Sequence, residues 1–206
     1  MNKAHPQDIT LKTLTHYAEN PDGFWQGTKD HDVTQNIHAL LSNIQKPGPF
    51  KILDFGCGPG RDLKTFHDLG HDAYGLDGLA DFCQMAAAYS GRKVYHQNFI
   101  NLNLPASFFD GVFANASLFH VPKDHLTNVL ETLHTALADN GILFSSNPRG
   151  SGEDLNGSRY ANFMEKDNYQ NIVEAAGFQL LEHYYRPPGQ PVETCPWLAC
   201  VFIKKS

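Results

Sequence analysis

The stretch from Lys51 to Arg61, KILDFGCGPGR, constrains the fold of this chain more than any other segment. Lys51, Ile52, Leu53 and Asp54 read as a short buried strand running into a turn where Gly56, Gly58 and Gly60 alternate with Cys57 and Pro59. Asp62 to Phe66 then opens a helix. Glycine has no Cβ, so such a turn takes dihedrals closed to other residues and lets a ligand approach the main chain. The helix start beyond it presents unpaired N–H groups. A dinucleotide fingerprint, G-x-G-x-x-G, needs its third glycine where this chain has Arg61. Nicotinamide binding is therefore disfavoured.

Asp77 ends a second strand-like run, Asp72 to Leu76, and lies 17 residues beyond Gly60. In nucleoside-binding α/β folds an acid at this distance accepts hydrogen bonds from ribose hydroxyls. Residues 79–90 read as a helix, Lys93 to Gln97 as a third strand and Phe108 to Ala114 as a fourth. Strands alternating with helices at this spacing predict right-handed crossovers and a parallel sheet. Ligands bind at the carboxyl ends of strands in such sheets, where Asp54, Asp77, Asn98 and Asn115 all fall.

Residues 8–19 predict a helix with Asp8 as N-cap, residues 19–28 a loop, and Asp30 to Ile44 a second helix with Val33, Ile37, Leu40, Leu41 and Ile44 on one face. Residues 1–49 would form a helical cap, with Phe24 and Trp25 either an aromatic lid or simple packing. Pro122 opens a predicted helix to about Leu137, and Gly141 to Asn147 a fifth strand. The polar, glycine-rich segment 148–160 exceeds ordinary connections and predicts a functional loop or a disordered tip. A helix over 167–176, capped by Gly177, precedes two strands, Phe178 to Arg186 and Trp197 to Lys204, paired as an antiparallel hairpin.

Composition narrows the function. A chain of 206 residues suits one domain, with residues 50–206 as its core. A net charge of −6 without a basic run disfavours a nucleic-acid groove. No apolar run reaches membrane-spanning length, and the opening MNKAHPQDIT lacks the apolar core of a signal peptide. Cys57, Cys83, Cys195 and Cys200 form no C-x-x-C pair and read as reduced thiols of a cytoplasmic protein. The eleven histidines are scattered without a metal-binding spacing, so no metal is expected.

The segments ILDFGCGPG, GLDG and FDGVFANASLFHV resemble the class I, seven-β-strand, Rossmann-like methyltransferases that use S-adenosylmethionine (SAM). FSSNPRG and HYYRPPG, with the N-terminal text, look like one uncharacterised bacterial subfamily of small-molecule type. The resemblance implies a three-layer α/β sandwich on a mostly parallel seven-stranded sheet with its last strand antiparallel. It implies that Asp54, Gly56, Cys57 and Gly58 surround the methionine portion of SAM while Gly60 permits close packing of the turn. Asp77 would bind the ribose, with Gly78 and Leu79 beside the adenine. Asn98 and Phe99 stand where many relatives carry an acid for the adenine amino group. Asn115 and Ala116 would sit under the methionine chain, and Tyr17 and Lys29 would meet the SAM carboxylate.

The implied reaction is methyl transfer to a small-molecule acceptor, leaving S-adenosylhomocysteine. The alternatives are a protein or nucleic-acid methyltransferase and a non-catalytic SAM-binding module, in a monomer or homodimer. His120 is the first candidate base because imidazole titrates near neutral pH, with Tyr17, Tyr184 and Tyr185 behind it and core packing the default for each tyrosine. Ser117 and His120, with Trp25 and Tyr184, would face the acceptor. If two of Arg149, Arg159 and Arg186 converge, the acceptor is an organic anion.

Overall fold

A computed structural model describes residues 5–205. Met1 to Ala4, part of the opening read above as lacking an apolar core, lie outside the described residues. Three helices come first: α1 (Pro6–Ala18), α2 (Pro21–Thr28) and α3 (Thr34–Asn43). The alternation then runs β1 (Lys51–Phe55), α4 (Arg61–Asp68), β2 (Asp72–Asp77), α5 (Ala80–Ser90), β3 (Val94–His96), β4 (Phe109–Asn115), α6 (Leu126–Ala136) and β5 (Leu137–Pro148). A short hairpin, β6 (Gly152–Asp154) with β7 (Ala161–Phe163), leads to α7 (Lys166–Ala175), β8 (Phe178–Arg186) and β9 (Trp197–Lys204).

Seven strands form one sheet in the order β3-β2-β1-β4-β5-β9-β8, with β9 antiparallel to both neighbours. Between β1 and β4 the connections turn to opposite sides, the switch point at which such sheets open a crevice. The expected seven-stranded sandwich is therefore present, with its last strand antiparallel.

Side-chain alternation divides the core in two. Leu53 and Phe55 of β1 join Leu143, Cys200 and Phe202 under α6 and α7. Ile52 joins Ile142, Phe144 and Val201 on the other face, with Ile37 and Leu40 of α3 and Leu63 and Phe66 of α4. Leu40 is fully buried there, worth roughly 1.5–3 kcal/mol for a side chain of its kind. The described part of residues 1–49, expected as one helical cap, divides: α3 packs in the sheet's own layers and reaches the strand ends through Asn36, while α1 and α2 lie over the strand ends.

Other boundaries move for local reasons. His5, not Asp8, caps α1, and Thr10 and Thr13 are buried while Leu11 is exposed. Residues 21–28, expected as loop, form α2 because Asn20 caps it, its Oδ1 accepting from Gly23 N at 2.8 Å, and Pro21 suits the first turn. The helix expected from Asp30 starts at Thr34, and the one expected from Pro122 starts at Leu126 after two short 3₁₀ turns. The fifth strand begins at Leu137 rather than Gly141, and the segment 148–160 carries β6. No helix among the described residues is long and apolar enough to cross a membrane.

Candidate active site

The glycine turn is tied across the carboxyl edge of the sheet. Gly56 N and Cys57 N both donate to Leu76 O, at 2.8 and 3.0 Å. Gly56, Gly58 and Gly60 have φ of +77°, +51° and +98°. A Cβ at Gly56 would stand 2.4 Å from Ser117 Cβ, and one at Gly60 2.7 Å from the Cα of Ala86 on α5. Packing therefore requires both glycines. At Gly58 the nearest atom would be Phe24 Cε1, at 3.5 Å, so this glycine opens its main chain toward α2.

Two buried acids lie at the turn. Asp77 accepts from Gly58 N at 3.0 Å and from Leu79 N at 2.9 Å, and burial still pushes its carboxyl up to about 6. Asp54, 2% exposed beneath the turn, leaves Oδ2 without a partner among the described residues. Burial, then the neighbouring Asp62 charge, hold it well above the usual carboxylate range. Cys57 is a buried thiol raised by the same cause, and its main-chain N–H is held by Leu76 O.

A cavity, about 680 Å³ when the space of its open mouth is included, runs from the turn to the ends of β2 and β3. Asp77, Gly78, Leu79, Asn98, Phe99, Ala116, Ser117 and His120 line it from the sheet, with Leu14, Tyr17, Phe24 and Phe82 across from them. Asn98 Oδ1 caps Ile100 N at 3.1 Å, and its NH₂ makes no hydrogen bond among the described residues. Phe24 packs against Phe82 and Tyr17, with ring centroids 5.1 and 5.3 Å away. Arg61 ties α2 to the turn by donating from Nη1 to Thr28 O at 2.7 Å. Ser117 Oγ donates to Phe55 O at 2.6 Å, so this hydroxyl braces the turn.

His120 sits in a hydrogen-bonded chain. Its Nδ1 is 2.7 Å from Tyr160 O, which can only accept, so that nitrogen carries the proton. Burial brings the imidazole down to about 4, so the ring is neutral near pH 7 and Nε2 accepts from Tyr17 Oη at 2.8 Å. Arg159 Nη1 donates to the same hydroxyl at 2.8 Å. Burial raises the Tyr17 phenol, against the lowering effect of Arg159. Both ring nitrogens of His120 are thus engaged within the protein.

A second cavity, about 1270 Å³ with its open mouth, shares Phe24, Gly56, Gly58 and Ala116 with the first and extends over the ends of β4, β5, β8 and β9. Asn115 lines it, accepting from Asn36 Nδ2 at 2.9 Å and donating to Asp62 Oδ2 at 3.3 Å. Tyr184 Oη donates to Asn36 Oδ1 at 2.9 Å, so Tyr184 supports this network from behind and lines neither cavity. Ala116 is exposed with φ +59°, a left-handed conformation rare outside glycine, at the junction of the two cavities.

The three arginines separate. Arg186 lines the second cavity, Arg159 holds Tyr17, and Arg149 is spent on Glu165, Val192 O and Cys195 O beneath the Tyr185 ring. Lys29 is exposed, 3.9 Å from Asp30, and Trp25 packs on Tyr89; neither lines a cavity. Thr13, Asn36, Asp62, Ser146 and Trp197 are site residues the sequence reading missed. Only Asp62, one residue past the turn, carried a local signal. Among the described residues no group of three or more His, Cys, Asp or Glu is placed to hold a metal ion.

A family model described as a methyltransferase domain matches residues 25–183. The chain is 33% identical over 120 residues to a trans-aconitate 2-methyltransferase of Rhodopseudomonas palustris, covering 55% of this chain and 44% of that protein. It is 27% identical over 177 residues to a sterol 24-C-methyltransferase of Gibberella zeae, covering 75% and 46%. The chain thus spans less than half the length of these curated relatives. Among solved structures, the Burkholderia thailandensis 1,6-didemethyltoxoflavin-N1-methyltransferase, with bound 1,6-didemethyltoxoflavin and S-adenosylhomocysteine, superposes with a TM-score of 0.78 at 21% identity. That match covers 100% of this chain and 93% of the other.

Proposed function

This chain belongs to the methyltransferase-domain family, and on that premise we propose that it transfers the methyl group of S-adenosylmethionine to a small-molecule acceptor. The observation that carries the reading is the wall of the first cavity. Bare glycine main chain stands beside the Asp77 carboxylate on one side, and the rings of Tyr17, Phe24 and Phe82 face it from the other. A nucleoside fits such a wall: its hydroxyls donate to the carboxylate and its base packs against apolar side chains. The unpartnered Asp54 Oδ2 beneath the turn suits the ammonium end of the same cofactor. The names of the relatives, trans-aconitate, sterol and didemethyltoxoflavin methyltransferases, support a small-molecule acceptor.

When bound, the cofactor supplies an electrophilic methyl carbon on a sulfonium; the protein supplies binding, alignment and exclusion of water. Asp77 and the glycine turn would hold the nucleoside, and Asn36 and Asp62 fix the side chain of Asn115, which would meet the methionine portion. Alignment of the acceptor to about 3–3.5 Å from the methyl is the main gain expected from such a site. His120 and Tyr17 act together by closing α1 onto the site. A neutral imidazole with both nitrogens engaged is a poor proton sink, which favours an acceptor that arrives already deprotonated. Cap and core work as one unit in this reading.

Incubation with methyl-labelled SAM tests it. Label is expected in small molecules from a pooled metabolite extract and not in RNA or protein extract. Transfer to a macromolecule alone contradicts the assignment of acceptor class.

A further inference from the structure

We propose that the second cavity is the acceptor site and that the acceptor is an oxyanion, of carboxylate class, with a flat apolar body. This rests on the methyltransferase reading above and adds which end of the site takes the acceptor. The two cavities meet only at Phe24, Gly56, Gly58 and Ala116, so a group transferred at that junction passes from one to the other.

The acids of the second cavity already accept hydrogen bonds within the protein. Asp62 accepts from Arg61 Nε at 2.6 Å, from Arg61 Nη2 at 2.8 Å and from Asn115, and Asp32 on the rim accepts from Thr34 N at 2.9 Å. Arg61, Asn115 and Thr28 spend their donors within the protein, but three other side chains of the lining keep donors free. Arg186 enters no ion pair among the described residues, and its one hydrogen bond runs from Nη2 to the main-chain oxygen of Asp32 at 2.9 Å. The Trp197 indole N–H and the Ser146 hydroxyl make no hydrogen bond among the described residues. Arg186 and Trp197 are direct cross-strand partners of β8 and β9, which puts guanidinium and indole on one face. A guanidinium without an ion pair among the described residues, beside acids that already accept hydrogen bonds, favours an acceptor-rich ligand. The arginine fork suits a carboxylate, and the indole gives a flat body something to lie on.

The chemistry balances without a base. A lone pair of the acceptor oxygen forms the O–CH₃ bond as the C–S bond breaks, and that bonding pair stays on sulfur. The anion and the sulfonium both become neutral, and no proton is released.

The test uses the full chain with Trp25→Phe, which leaves Trp197 as the sole tryptophan reporter, saturated with S-adenosylhomocysteine. Titration with trans-aconitate, tricarballylate and phthalate is expected to change Trp197 fluorescence saturably for at least one anion. The fully esterified, neutral forms should give no change. Arg186→Gln should weaken the responding anion roughly tenfold or more, the scale of a lost charge-assisted hydrogen bond. Arg186→Lys should recover part of the loss, and S-adenosylhomocysteine affinity should stay the same in both variants. An unchanged anion titration in Arg186→Gln, an equal response to the esters, or no response to any of the three anions overturns the proposal. Failure to bind S-adenosylhomocysteine at all would instead remove the cofactor reading.

Discussion

Asp77 is buried with a carboxyl raised to about 6 from 3.8, so its ionised form is the costly one in the free protein. The stabilising contribution of this group is full below the unfolded value of 3.8 and is lost as pH rises through about 6. Ribose donors favour the ionised form, so the sign reverses for ligand: S-adenosylhomocysteine affinity should fall as pH drops below about 6, by up to roughly tenfold per unit. Calorimetry across pH 5 to 8 checks this, and Asp77→Asn should flatten the profile. His120 offers a second test. His120→Gln keeps an acceptor for Tyr17, and turnover near pH 7 should stay within about tenfold; a loss of about 10²–10⁴ would make the imidazole the base. Gly60→Ala should cost about 2 kcal/mol or more by denaturant unfolding, because φ is +98° and the new methyl meets backbone. Gly60 and Asp77 were legible in the sequence because their constraints are local to a turn and a strand end. Asn36 was not, since its partners Asn115 and Tyr184 lie 79 and 148 residues away. Nor could the sequence tell that Arg149 is spent on its own loops while Arg186 faces a cavity.

At the scale of elements, α2 is the piece that the sequence text concealed. Gly23, Gly27 and two flanking polar stretches read as loop, yet an Asn20 cap and the Arg61 contact to Thr28 O hold eight residues helical. None of its residues is fully buried, so its place depends on Phe24 packing on Phe82 and Tyr17. Phe24→Ala should therefore speed S-adenosylhomocysteine dissociation roughly tenfold, about 1.4 kcal/mol, in stopped-flow measurements. An unchanged rate would mean that α2 does not cover the ligand. In α1 the apolar spacing misled, because Thr13 is buried to receive the Tyr160 N–H at 3.0 Å. α3, by contrast, showed a clean stripe of Ile37 and Leu40, and that stripe packs on the sheet.

At the scale of the whole molecule, strand order and the switch between β1 and β4 put two cavities on one edge of one sheet. The alternation of strands and helices made this legible from the sequence; the division of the edge into two cavities depends on α1 and α2 and was not. Stability and ligand binding should separate accordingly. Leu40→Ala, in the layer beneath, should cost about 2–5 kcal/mol of unfolding free energy while leaving ligand affinity intact. The central claim is that the first cavity grips an adenosine-bearing cofactor through the glycine turn and Asp77. Isothermal calorimetry of the folded protein against S-adenosylhomocysteine, with Asp77→Ala alongside, tests it most directly. Saturable binding that Asp77→Ala abolishes without unfolding is the predicted result; no heat at millimolar ligand, or equal binding by both proteins, would contradict it.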